Sequence, residues 1–250
     1  LLLADTKVAP VTQKAKLAST INLYHMDEKT GTLNLKAFTA GVHACRAIFL
    51  AGILYALIAA VGLSTLPDQQ TPVGDPWFTL MELLTILSSL LMVFAMGTIH
   101  IYARSWQRAH SMAAFGFMII TATITTANHF VILVLNHQAP IGRHPAIARM
   151  LRFKWPSIAY ILDIAAWDLF FPLAMAQGSV IFSQGRQEKS VRLSMMTSAI
   201  LSFSGLLGVP SGNMALRNIG IIGYAVAGPV SFLMIGKLLI RSRKAYECRH

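Results

Sequence analysis

Two aspartates, Asp163 and Asp168, stand inside an apolar run long enough to cross a bilayer. The run covers residues 156–182, PSIAYILDIAAWDLFFPLAMAQGSVIF, and a spanning helix needs about 20 such residues. A carboxylate at that depth costs roughly 2.5–3.5 kcal/mol even on lenient insertion scales. It is retained only where it faces a protein interior or a cavity and meets a partner there. A chain with this segment must therefore bring further helices around the acids to screen them from lipid.

The rest of the sequence supplies those helices. Hydrophobic residues make up 55% of the 250 and charged residues 12%, which sets aside an ordinary soluble domain. Six spans are predicted, at 44–64, 77–102, 112–136, 156–182, 191–209 and 216–240, giving an all-α integral membrane protein built as a six-helix bundle. None of them alternates as a barrel strand would, and each is too long for one. No internal repeat is visible, so the two-fold architecture of many transporters is not expected. Three units follow: a polar N-terminal region over 1–43, the transmembrane domain over 44–241 and a short basic tail over 242–250. Within the first, residues 14–24 (KAKLASTINLY) fit a short amphipathic helix on the membrane surface.

The net charge of +11 reads as a nucleic-acid signal only until it is mapped. Fifteen of the 21 basic residues fall in the N-terminal region, the second and fourth connections and the tail. The opposite side holds Arg143, Arg149, Arg152, Lys154 and Arg217, and Lys237 lies near the inner end of the last span. This is the positive-inside asymmetry, which predicts both termini in the cytoplasm and no nucleic-acid partner. Cys45 and Cys248 both fall on that reducing side, so no disulfide framework is expected.

Depth arithmetic gathers a candidate site. Glu82 lies about 7–8 Å below the outer end of the second span at 1.5 Å per residue. His129 in the third span and Asp163 in the fourth both lie about 10 Å down. Asn128 and Tyr160 share that layer, Asn218 sits just above it, and Asp168 is about 7–8 Å deeper than Asp163. In an α-helix the two aspartates are offset by about 140°, so they are expected to face different ways. Pro172 and Pro229 withdraw the usual donors from the carbonyls of Asp168 and Ala225, predicting kinks beside the acid and in the last span.

These residue types suit acid–base work on a lipophilic substrate. A carboxyl group in a low-dielectric cavity can hold a proton at neutral pH and donate it, and a nearby imidazole can accept or relay one. Aromatic faces stabilise a cationic intermediate within about 6 Å, a part open to Trp167, Phe130 and Phe171. The expected function is a cofactor-independent isomerase or cyclase acting on an isoprenoid or sterol-like molecule. Glu82, His129, Asp163 and Asp168 would be its catalytic residues. Asn128, Tyr160, Trp167, Phe130, Phe171 and Asn218 would line its substrate site. In size and logic the chain resembles membrane-embedded terpenoid cyclases, while their DDxxD and DxDD motifs do not occur.

Three other classes use the same residues. A proton-coupled carrier also needs buried acids, a histidine and proline-broken helices. Metal or haem binding has no paired-histidine motif here, so no metal site and no cofactor are expected. An accessory subunit would use the polar groups for packing alone. Gly223 and Ala227, spaced by four, would then let helices approach within the chain or in a homo-oligomer. Membrane lipids are partners under every reading.

Overall fold

The computed structural model describes residues 28–67, 71, 73–138, 145–151 and 153–247, so the 14–24 stretch lies outside the described residues. Lipid offers no partner for a backbone N–H or carbonyl, and an apolar chain crossing it must bond to itself as helix. Helix α1 covers Glu28–Ser64, α2 Trp77–Tyr102 and α3 Arg108–Gln138, followed by the short α4, Pro145–Leu151. The fourth span is built of α5 (Ile158–Ile164), a π-helical turn (Ala165–Phe170) and α6 (Phe171–Ser179). Helix α7 (Gly185–Gly205) and the turn α8 (Gly208–Ser211) form the fifth. The sixth repeats the pattern of the fourth, with α9 (Met214–Ile221), a second π turn (Ile222–Ala227) and α10 (Gly228–Glu247).

Six stretches are long and apolar enough to cross a membrane: 38–64, 77–102, 105–135, 158–179, 185–211 and 214–243. The protein is a multi-pass integral membrane protein with an all-α bundle. Six crossings leave the ends of the bundle on one face, here the terminal face, where Arg243 Nη1 donates to Thr39 Oγ1 at 2.9 Å. The opposite face is called distal. Leu50, Leu57, Phe94 and Leu193 point outward from the bundle, the side a lipid would meet.

Short polar side chains begin the distal helix ends. Asp75 Oδ1 accepts from the Thr79 backbone N–H at 3.1 Å, and Ser157 Oγ from Tyr160 at 3.1 Å. Asn213 Oδ1 accepts from Ala215 at 3.0 Å, so the sixth span begins at Met214. That start places Arg217 inside the helix rather than in a connection.

Both π turns end just before a proline. The Phe171 N–H reaches the Ala166 carbonyl and the Gly228 N–H reaches that of Gly223, each five residues back. Pro172 and Pro229 follow at once. A proline ring lacks the N–H and crowds the carbonyl four residues earlier. Widening the preceding turn by one residue moves that carbonyl aside, so the kinks expected from sequence take the form of π turns.

Neighbouring spans pack in sequence order, and α10 closes the ring against α1. The terminal half is a packed apolar core of Met96, Met118, Phe171, Met175, Phe182, Met195, Phe232 and Leu239. Polar ties finish that face. Glu188 accepts from Tyr102 Oη at 2.7 Å and from the backbone N–H groups of Ser183 and Gln184, at 3.0 and 2.6 Å.

The fifth and sixth spans meet backbone to backbone. A methyl group on Gly205 would lie 3.0 Å from the Cα of Gly220, and one on Gly223 would collide with the Ser202 backbone. Gly223 therefore serves close approach within the chain. Gly223→Val should force these helices apart and lower stability by about 1–3 kcal/mol, the usual cost of overpacking. Gly116, with open space around it, is the control. Gly116→Ala should be neutral or stabilising by about 0.5–1 kcal/mol, read as thermal unfolding of the detergent-solubilised protein.

Candidate functional site

Five ionisable side chains form one row across the distal half of the bundle. Glu82 Oε2 and His129 Nδ1 share a hydrogen bond of 2.7 Å. His129 Nε2 lies 3.5 Å from Asp163 Oδ1, and Asp163 Oδ2 accepts from Arg217 Nη2 at 2.7 Å. Arg217 Nε lies 3.3 Å from Asp168 Oδ2 and ends the row. None of the five is more than 8% exposed. Glu82 comes from α2, His129 from α3, the two aspartates from the fourth span and Arg217 from α9, so the row ties four spans together.

The π turn sets the direction of Asp168. In a regular α-helix the two aspartates would diverge. The turn over Ala165–Phe170 takes about one more residue per revolution, which rotates Asp168 back to the side of Asp163. Both then reach the same guanidinium, correcting the expectation that they face apart. Asp168 itself is fully buried and pressed between two glycines. A methyl group on Gly205 or Gly220 would run into its Oδ1.

Arg217 is held from its faces as well as its edge. Its guanidinium carbon lies 4.9 Å from the Tyr160 ring centre and 5.8 Å from that of Tyr224, cation–π range on both. A planar, weakly hydrated cation suits a buried site with acids at its edge and rings at its faces. Three carboxyl groups share this one permanent cation and one imidazole. Charge balance in the row therefore depends on the protons it carries, and on any cationic or hydrogen-bond-donating group that enters beside it.

Beside the row lies a cavity of about 1110 Å³ between α1, α2 and the sixth span. Glu82, His129, Asp163 and Arg217 form its polar wall. The remaining lining is mostly apolar and aromatic, including Phe78, Met81, Phe153 and Trp167. Phe153 stacks on His129 with ring centres 5.4 Å apart. A roomy apolar cavity with a few converging polar groups is the usual form of a small-molecule site.

The sequence-selected residues are distributed unevenly around it. Glu82, His129, Asp163, Tyr160 and Trp167 line the cavity. Asp168 stands behind the wall, joined to it through Arg217. Asn128 donates to the Ala159 carbonyl at 3.0 Å and ties the third span to the fourth. Phe171 is buried against Trp167, with ring centres 5.6 Å apart. Phe130 is 58% exposed on the outside of the bundle, and Asn218 is exposed too, so neither faces the cavity.

Arg217, Tyr55 and Tyr224 went unselected from sequence, although all three line the cavity. Their signal was present: acids buried in one layer require a counter-charge, and Arg217 is the basic residue nearest that depth. Among the described residues no group of three or more His, Cys, Asp or Glu side chains is arranged to hold a metal ion.

Removing Arg217 leaves two buried acids without their cation. Arg217→Ala should destabilise by about 3–5 kcal/mol, the range for breaking a buried ion pair from one side. Adding Asp163→Asn and Asp168→Asn to that variant should recover part of the loss, read as midpoint shifts in detergent. A midpoint unchanged in Arg217→Ala would show that the row carries no such coupling. Comparison with protein-family models, with curated proteins and with solved structures finds no match to this chain.

Proposed function

We propose that the protein is a membrane-embedded acid–base enzyme acting on a lipophilic, isoprenoid- or sterol-like substrate, an isomerase or cyclase in type. The observation that carries this reading is the Glu82–His129–Asp163 row on the wall of an otherwise apolar cavity. Glu82 uses one carboxylate oxygen for His129 and is the proton donor to a carbon–carbon double bond of the substrate. Asp163 removes a proton from a second carbon of the cation so formed. The double bond shifts and the substrate loses no atoms.

His129 resets the pair. Its Nε2 takes the proton from Asp163 while its Nδ1 passes one to Glu82, and exchange of the imidazole proton with water in the cavity returns the starting tautomer. The 2.7 Å bond already exists, and a small rotation of the imidazole brings the 3.5 Å gap into hydrogen-bond range. Arg217 and Asp168 position Asp163 and do not touch the substrate. The aromatic lining and the surplus of acids both favour a developing positive charge. The basic-residue distribution supports both chain ends in the cytoplasm and hence a cavity in the half of the bilayer away from it.

A carrier would need a polar path to the second face. The apolar packing of Phe171, Met175, Met195 and Phe232 below the row favours the enzyme instead.

The test is hydrogen exchange into carbon. Nanodiscs carrying the protein are incubated in heavy water with an isoprenoid and sterol extract, and the lipids are examined by mass spectrometry. The wild type should place carbon-bound deuterium in one lipid class. Glu82→Gln and Asp163→Asn should each lower that rate by about 100-fold or more, the range for a lost general acid or base. Equal rates in wild type and both variants would refute the reading.

A further inference from the structure

We infer that the cavity takes its ligand sideways from the bilayer, through the gap between the distal halves of α1 and the sixth span, and that this ligand is an amphiphile whose polar end donates hydrogen bonds. The choice of polar end rests on the proposed function of the row; the entrance rests on helix packing alone.

The packing is asymmetric along the sixth span. Its terminal part, α10, lies against α1, with Gly52 so near Pro229 that a methyl group there would sit 3.2 Å from the proline ring. Its distal part, α9 and the π turn, packs on α7 instead. The two spans therefore part above Pro229, and both present residues to the cavity beyond that point. Leu63 of α1 and Ala225 of the sixth span line the cavity and are also exposed on the outside. A lining residue that is exposed at the bundle surface marks an opening there.

The rim of that opening is apolar. Leu63 stands beside it on α1, and Ile222 and Val226 on the sixth span, all exposed. Toward the distal face Val73 and Trp77 pack on Gly62 of α1, at 2.9 and 3.0 Å from a methyl position there. An apolar side opening suits a molecule already dissolved in the membrane.

Glu82 and His129 of the polar wall come from α2 and α3, which do not border this opening. Glu82 has His129 as its hydrogen-bond partner, and its second oxygen is left for a ligand. His129 Nε2 is without a hydrogen bond. Glu82 and Asp163 on the wall and Asp168 behind it are three carboxyl groups to one guanidinium, so even with Glu82 protonated the row is short of positive charge. An alcohol or an amine supplies what is missing, and a carboxylate adds to the surplus.

Three photoreactive probes decide this, alike in a diazirine-bearing alkyl chain and ending in an alcohol, an amine or a carboxylic acid. Each is dissolved in phosphatidylcholine nanodiscs holding the full chain, and labelled residues are mapped by mass spectrometry. The alcohol and amine should label Tyr55, Met81 and Tyr224 about tenfold more than the acid does, the ratio expected from one charge-assisted hydrogen bond. Ala225→Trp, a wedge in the gap, should lower cavity labelling about tenfold and leave labelling of outward Leu57 unchanged. Leu63→Trp repeats the wedge from α1 should the first variant fail to fold.

Cavity labelling that survives both wedges, or labels confined to outward residues, would overturn the entrance. Equal labelling by acid and amine would overturn the polar end. Neither outcome touches deuterium incorporation. Conversely, wedges that block labelling in a protein whose Asp163→Asn form keeps full exchange would leave the entrance standing and remove the chemistry.

Discussion

The guanidinium of Arg217, gripped by Asp163 and Asp168 and covered by two tyrosine rings, is the interaction on which the distal half depends. Each ion taken out of water costs several kcal/mol, and only good geometry with opposite charge returns that cost. Here the acids come from one span and the base from another, so the pair exists only when the fourth and sixth spans are docked. Asp163 then presents its other oxygen to His129, and His129 reaches Glu82 on the second span. Position passes from Asp168 outward to the cavity wall through a chain of contacts that fixes each side chain by its neighbour.

Two prolines and a set of glycines create the room for this. Pro172 and Pro229 each follow a π turn, and the first of these turns aims Asp168 at Arg217. Gly205, Gly220 and Gly223 let the fifth and sixth spans close over the acid at backbone distance. Pro229 also marks where α1 and the sixth span separate. One local rule, that a helix must widen before a proline, thus shapes both the charged row and the cavity beside it.

The six spans were legible because lipid permits little else: an apolar run of that length is a helix, whatever its neighbours do. Rise per residue was enough to bring Glu82, His129 and Asp163 to one depth, and they do meet. Direction around the helix axis was harder. α-Helical geometry misaims Asp168, because the residue lies in a π turn that precedes Pro172. Phe130 follows His129 directly, and the step of about 100° between them turns it to the outside of the bundle, where it is 58% exposed. Arg217 is only the second residue of a span begun at 216 and so reads as an outer-side charge; the Asn213 cap begins the helix at Met214 and carries the arginine a full turn inside. A charge near a span boundary is thus ambiguous until the cap is known, and the buried acids were the reason to expect it inside.

The floor of the site has a consequence for the membrane itself. A row of ionisable groups crossing the whole bilayer would conduct protons, and a bilayer that stores energy as a proton gradient cannot tolerate one. Asp168 is the deepest member of the row, and it ends against two glycine backbones. Below it stand Phe171, Met175, Met195 and Phe232, none of which can carry a proton. The charged row therefore stops at mid-bundle: what continues below it is this apolar core with the buried hydroxyls of Ser198, Ser202 and Ser231, none of which carries a charge.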